Sequence, residues 1–592
     1  MMSFAGKIFA AGLLFFSTAL MPTLAFARDI EITVIDGDLS IPLEGARVVS
    51  PDGGEKICDV EGRTLVSVPD DRSVVLRISY PGYAPGRVSV PPGADAYTVE
   101  LSLAGTAEER ELIVEAPRPG SSETVIGRSV AISGDNLTMP AETGIIGDVM
   151  NAVKLLPGVG YVGGYMAMPS VRGGEPSDVT AVFDGFYVER PYHWGGAFSI
   201  FDPKMVESAQ LSHGVFSTRY GHTVSGLLDI HAKRPSPESA GLELAVSSSA
   251  TNLNLSFPLG EKGGLSLMGK VTYWDPFVET AKLFFEEVRY VSTTPFIRSG
   301  AFGAAYDLSA DLSLSFNGFF GNDGVGVHYD DDSSTSIYDA DFFWDNKIGF
   351  LVSGLGYSPN SRSLVKVTLG AGLLQSDLDG HTYSENITKS TTREYDFFVQ
   401  DRTVNFQGRA DYDLDLGNGF LFAAGAEERY SRWDRINTFR GRVSDDPVPD
   451  RERTLNVLNQ GLLSSAYSLF EYSSENRRFG MEAGIRGDHF LLAGEGYTLP
   501  GIPALNPRIN FDFLLLEDSG PFESITMTAG TGLFSSVNSS LQNISSANNI
   551  KRDASTQNRS WTTVAGTKID LLSGFSFTFE GYFKYVFNRA YT

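Results

Sequence analysis

Two glycine patterns in the sequence have the spacing of phosphate cradles: Gly158-x-Gly160-x-x-Gly163, as in dinucleotide turns, and Gly264-x-x-x-x-Gly269-Lys270, as in phosphate loops. Neither has the required context. The first follows a helix-like stretch instead of a strand, and is better read as turns. The second sits inside an alternating strand, with Val271 where a magnesium-binding hydroxyl belongs. The seven histidines are scattered, with no His-x-x-Glu pair and no Ser-His-Asp arrangement, so no catalytic constellation forms and neither enzymatic activity nor a cofactor is expected. Asp330, Asp331, Asp332, Asp339, Asp341 and Asp345 offer oxygen ligands, but their spacing fits no calcium loop and reads as a solvated surface. Met166 and Met168 are too little for a copper site, so no metal is expected. The remaining concentration of chemistry is aromatic: Tyr161, Tyr165, Tyr187, Tyr192, His193 and Trp194. Such side chains suit planar or sugar-like ligands through Tyr161, Tyr165, Tyr192, His193 and Trp194, and they equally suit packing.

The elements that must carry these residues are strands. The chain has 592 residues, a net charge of −25, 63 glycines and one cysteine. One cysteine excludes an internal disulfide framework, so Cys58 reads as a buried free thiol. The acidity argues against nucleic-acid binding. Residues 1–27 have a short basic start, an apolar run and Ala25-Phe26-Ala27, the pattern of an export signal. No later apolar run reaches membrane-helix length, so membrane residence requires a β-barrel. From residue 240 onward the period is two. Val404, Phe406, Gly408, Ala410, Tyr412, Leu414 and Leu416 alternate with Thr403, Asn405, Gln407, Arg409, Asp411, Asp413 and Asp415. One face of such a strand is apolar and the other wholly polar, which predicts strands of membrane length. Short turns near 260–264, 307–311, 358–363, 417–419, 473–477, 518–523 and 572–574 alternate with long stretches such as 275–295, 322–345, 376–399 and 436–461. The short ones are assigned to the periplasmic end and the long ones to outer loops.

Residues 29–103 alternate in short runs between Gly- and Pro-rich turns, which predicts a small β-sandwich. Pro42-Leu43-Glu44-Gly45-Ala46, Asp59-Val60-Glu61-Gly62-Arg63 and Tyr80-Pro81-Gly82-Tyr83 resemble the carboxypeptidase-regulatory-like domain. Residues 104–118 follow as a linker with the β-prone segment Glu111-Leu112-Ile113-Val114-Glu115-Ala116. Next come Asp148 to Val159, Val171-Arg172-Gly173-Gly174, Val182-Phe183-Asp184-Gly185, Ile200 to Ser208, Arg219-Tyr220-Gly221 and Ser225 to Ile230. This series resembles the plug domain of TonB-dependent outer-membrane receptors, here over 119–235. The resemblance implies an α+β plug inside a large antiparallel barrel (240–592), and a TonB box at residues 111–116. Arg172, Asp184, Glu207 and Arg219 are candidate polar contacts between plug and lumen.

About 15 strands are countable from residue 240, against ~22 in plugged transporters, so the chain reads as a barrel truncated by roughly seven strands. The expected function is binding of a scarce nutrient (iron chelate, cobalamin or oligosaccharide) and its import, with an inner-membrane TonB-type complex supplying energy by strand addition. The partners implied are that complex, outer-membrane lipid and an extracellular small molecule, with no nucleic acid. A non-transporting surface display protein on the same barrel is the alternative.

Overall fold

The computed structural model describes residues 27–588 except 37–41, 44, 50–54, 70–73, 81–85, 91–95, 102–123, 126–128, 134–136, 138–145, 157, 162–166, 236–239, 334, 388–390, 444–450, 475, 477, 538–556 and 573–574. The TonB-box-like segment 111–116, Tyr165 and Met166 lie outside the described residues. The chain falls into two compact units, Met1–Glu111 and Leu112–Thr592.

In the first unit, β1 (Ala27–Asp36) pairs antiparallel with β4 (Arg63–Pro69) and parallel with β7 (Ala96–Leu101). A second sheet holds β3 (Glu55–Ile57), β2 (Arg47–Val49), β5 (Val74–Ser79) and β6 (Gly86–Val90). Alternate residues of β1 (Ile30, Ile32 and Val34) are fully buried with Val48, Val66, Leu76 and Ile78, so the unit is the sandwich that its spacing predicts. Cys58 belongs to this core as a free thiol, and burial, aided by the Asp59 charge, pushes it up to about 11.

The second unit begins with a six-stranded mixed sheet. Its strands, in sheet order, are β13 (Phe186–Val188), β12 (Val179–Phe183), β17 (Gly226–Ala232), β16 (Val206–Ser212), β9 (Ser129–Ser133) and β8 (Thr124–Val125). Beside it lie a small hairpin, β10 (Val159–Tyr161) with β11 (Pro169–Val171), another, β14 (Tyr192–His193) with β15 (Phe198–Ser199), and helix α1 (Val149–Val153). The Asp148 carboxylate caps α1 by accepting from Met150 N–H (2.8 Å) and also accepts from Ser199 N–H (2.9 Å), which ties helix to hairpin.

Around this sheet runs a sixteen-stranded antiparallel one. It starts with β18 (Gly241–Val246), β19 (Ala250–Pro258), β20 (Gly263–Thr272), β21 (Val291–Ser309), β22 (Leu312–Asp332), β23 (Ser336–Asn360), β24 (Ser363–Asn386) and β25 (Thr391–Gly417). It continues with β26 (Phe420–Val443), β27 (Arg451–Ser473), β28 (Phe479–Gly494), β29 (Tyr497–Pro500), β30 (Ala504–Ser519), β31 (Phe522–Val537), β32 (Gln557–Leu571) and β33 (Ser576–Phe587). Fifteen strands form the continuous path; β29 only folds back onto β28. Among the described residues β18 and β33 each pair on one side alone. The pattern Gly264 to Lys270 lies inside β20, and Gly158 to Tyr161 forms a turn and β10.

Burial follows the two-period inverted. On β25 the apolar Phe406 is 53% exposed, whereas Thr403, Asn405 and Gln407 are 4%, 4% and 5% exposed. A water-soluble sheet would bury Phe406; one whose outer face meets lipid and whose polar face meets the enclosed domain gives this order. Among the described residues no helix is long and apolar enough to cross a membrane. Among the described residues the short turns fall where expected, but the long stretches 322–345, 376–399 and 436–461 are not chiefly loops. They are continuations of β22 to β27, whose strands reach 27 residues in β25. A crossing needs only ~9–11 residues, so these hairpins project well beyond the bilayer. Both faces of a strand are wet there, and the period-two signal that marks a strand fades.

Candidate functional site

The residue pairs Arg172-Gly173 and Asp184-Gly185 are the central residues of two tight turns. Both members of each pair have positive φ: 48° and 70°, then 48° and 86°. Val182-Phe183 and Phe186-Tyr187 flank the second as paired strands, the geometry of a type I′ hairpin in which Gly avoids a steric penalty. In the first, Gly174 N–H donates to the Val171 carbonyl at 2.9 Å. These turns present Arg172 and Asp184 to the wall. Arg172 pairs with Glu580 of β33 and lies 5.0 Å from the Tyr582 ring centroid; burial lowers its pKa to about 10. Asp184 accepts from Ala232 N–H (3.0 Å) and from Asn317 Nδ2 of β22 (2.8 Å).

Arg219 pairs with Asp413 of β25 at 2.6 Å. The Tyr220 ring lies under the Arg409 guanidinium, 5.0 Å to centroid. Gly221 leaves room for Arg486: a Cβ there would sit 2.2 Å from Arg486 Nε and one of the two would have to shift. Arg486, 1% exposed, donates to Asp488 (2.8 Å) and to the Arg219 carbonyl (3.2 Å). Glu207 lies at a bulge in β16 and is exposed, so it is not one of the lumen contacts expected of it.

Most of the wall's polar partners escape sequence reading. Gln407 accepts from Tyr187 N–H (2.9 Å) and donates to the Gly185 carbonyl (2.7 Å). Arg508 of β30 donates Nη1 to three plug carbonyls: Phe216 (3.3 Å), Ser217 (2.7 Å) and Tyr220 (2.7 Å). Lys270 pairs with Asp202, and Arg429 covers Tyr187 at 4.0 Å. The contact between plug and wall is not polar throughout. Phe183 and Phe186 pack on Phe350, with Phe319, Ile348, Val352 and Leu374, in a dry seam along β21 to β24. A smaller patch joins Phe216 to Phe534 of β31. Charged contacts line β25 to β30, where Asp413, Arg486 and Arg508 meet the plug, and recur at Lys270 of β20, Asp323 of β22 and Glu580 of β33.

The aromatic candidates divide. His193 is buried against Asp323 of β22, Nδ1 to Oδ2 2.8 Å, and Trp194 donates its N–H to the same carboxylate (3.0 Å) and Nε1 to the Phe296 carbonyl (3.2 Å). Both therefore fasten the plug to the wall. Tyr192 is half-buried and packs beside that seam. Tyr161 lies in β10, and its side chain is outside what is described. Pairing from β22 to β27 is free of bulges above the plug. The alternation set by Asn317, Phe319 and Asp323 therefore carries upward and turns Tyr329, Tyr338, Phe342, Phe397, Tyr395 and Phe439 into the lumen. Phe342 and Phe397 lie 5.8 Å apart and Tyr395 and Phe439 5.5 Å. Below them Arg435 donates to Asp401 at 2.6 Å. This makes an aromatic vestibule above the plug.

Residues 139–227 match the family model of the TonB-dependent Receptor Plug Domain. A search of curated proteins found no match to the sequence. Among solved structures the chain resembles BauA, the ferric preacinetobactin receptor from Acinetobacter baumannii (11% identity, TM-score 0.53, covering 77% of this chain and 70% of that one). It also resembles the ferripyoverdine receptor of the outer membrane of Pseudomonas aeruginosa (11%, 0.55, 85% and 72%) and the RagAB peptide transporter (9%, 0.51, 78% and 68%). At such identities the likeness is one of fold. The chain therefore carries a TonB-dependent receptor plug domain at residues 139–227, seated in a barrel whose fold resembles those of solved outer-membrane receptors.

Proposed function

We propose that the receptor captures an iron-chelate-sized solute in the vestibule and imports it when a TonB-type complex pulls on residues 111–116. The observation that carries this is the aromatic vestibule directly above a plug bonded through charged side chains. Ring faces bind planar chelates, and charge-assisted bonds exchange for water more readily than a dry core does. Two of the similar proteins are named for ferric chelates, which makes that class the first to test, ahead of cobalamin, oligosaccharides and peptides. The 29–103 sandwich serves as a periplasmic accessory module in this reading.

Proline removes a strand donor, so Ile113→Pro breaks strand addition. With radio-iron chelates, cells carrying Ile113→Pro should bind ligand at the parental level and accumulate none. Uptake surviving that change would refute TonB coupling, and binding without uptake in the parent would leave surface display as the function.

A further inference from the structure

We propose that the outward face of the β22–β23 extension binds a transition-metal dication of the zinc class through His328 Nε2 and the Asp339 carboxylate, with Asp341 holding the imidazole. His328 and Asp341 are directly opposed across the hairpin, and Nδ1 lies 2.9 Å from Asp341 Oδ1. With Nδ1–H donating to that carboxylate, Nε2 carries the free lone pair, the arrangement in which a second carboxylate orients a metal-binding histidine. Nε2 lies 3.8 Å from Asp339 Oδ2. That is too long for a hydrogen bond, and close to the ~3.4 Å that two ligands of a tetrahedral zinc keep when each is ~2.0–2.1 Å from the metal. One ligand atom from each of His328, Asp339 and Asp341 falls within 4.8 Å of the others.

The surroundings favour a cation. Asp330 stands directly opposite Asp339, and like charges in facing positions destabilise a sheet unless something neutralises them. On the other side of Asp341 the next strand places His381, held by Asp396 at 2.7 Å, so a second oriented imidazole flanks the site. A mixed nitrogen and oxygen set selects zinc-like ions over calcium or magnesium. The residues are open to solvent and fixed by a continuous ladder. They lie on the face opposite the vestibule, so the site is separate from the solute path. No linear spacing announces it because the strands assemble it, and the absence of a metal expected from sequence is revised on that ground.

The test uses the full chain without an affinity tag, in detergent micelles, titrated with zinc sulfate by calorimetry. Saturable binding is expected, weakened at least tenfold in His328→Ala and in Asp339→Asn. Cobalt absorption should show nitrogen ligation that His328→Ala removes. Each variant's fold is checked by the heat-modifiable gel shift of an intact barrel. Absence of saturable zinc binding, affinity unchanged in His328→Ala, or calcium displacing zinc at equal concentration would each overturn the proposal.

Discussion

Removing the Arg508 side chain should loosen the plug without disturbing the barrel. The guanidinium is 3% exposed, donates to three plug carbonyls and stacks on Phe216 and Phe534 at 4.8 and 4.2 Å. A hydrogen bond from a charged donor contributes ~1.5–3 kcal/mol, and a desolvated cation–π contact ~1–2 kcal/mol. These terms do not add, because all three carbonyls share one nitrogen and water can enter to replace it. The cation forms no direct ion pair among the described residues, so its removal also relieves a desolvation cost. The balance for Arg508→Ala is ~3 kcal/mol, or about 100-fold in the population of released plug. Native-state hydrogen exchange reads this directly: amides of β16, which leads into the clamped turn, should lose about 100-fold in protection, while those of the N-terminal sandwich keep theirs. Arg508→Lys, with a point charge in place of a fork, should fall between. Protection within threefold of the parent in Arg508→Ala would refute the carbonyl clamp as what holds this side of the plug.

Two further outcomes follow from the same contacts. Gly221→Ala should drive Arg486 from Asp488, costing ~3 kcal/mol from overpacking and a broken buried pair; unaltered β16 exchange would show that the wall yields instead. Acid should release the plug. Burial, with the Arg172 charge, holds His213 down to about 4, and burial, with Arg429 outweighing Glu427, holds His222 down to about 3. Both imidazoles are neutral when folded and ordinary when released, so their stabilisation is whole above pH 6.5 and is lost as pH falls toward those values. At pH 5 this amounts to ~2 kcal/mol each, seen as reduced β16 protection after correction for intrinsic exchange; a flat profile between pH 7 and 5 would sink the assignment.

The plug turns were legible because their chemistry is local. Arg172-Gly173 and Asp184-Gly185 declare positive φ within two residues, and Gly417-Asn418-Gly419 ends β25 in the same way. Lumen and lipid faces were legible because a membrane imposes opposite solvents on alternate residues. The partners were not. Glu580, Asp413, Arg508 and Asp323 lie one to four hundred residues from the side chains they bind. In the sequence they look like any other inward polar position. Many inward polar residues can serve equally until register chooses among them. The tall hairpins failed for the converse reason: Asn322 to Asp345 mixes polar and aromatic residues on both faces, which reads as a loop until cross-strand pairing is seen.

The uneven attachment of the plug has a mechanical consequence. A body held along one wall by an apolar seam and along the other by buried polar bonds does not rise like a cork. Under a pulling load, water would advance first between the plug and β25 to β30, where each charged contact has a solvent substitute, while the apolar seam on β21 to β24 would hold because separating it exposes hydrocarbon. The plug would then swing as a door does, about the Phe350 side. The opening would be bounded by Arg409, Arg429 and Arg508 together with Asp411, Asp413 and Glu427, a margin of alternating charge that offers a polar solute both donors and acceptors.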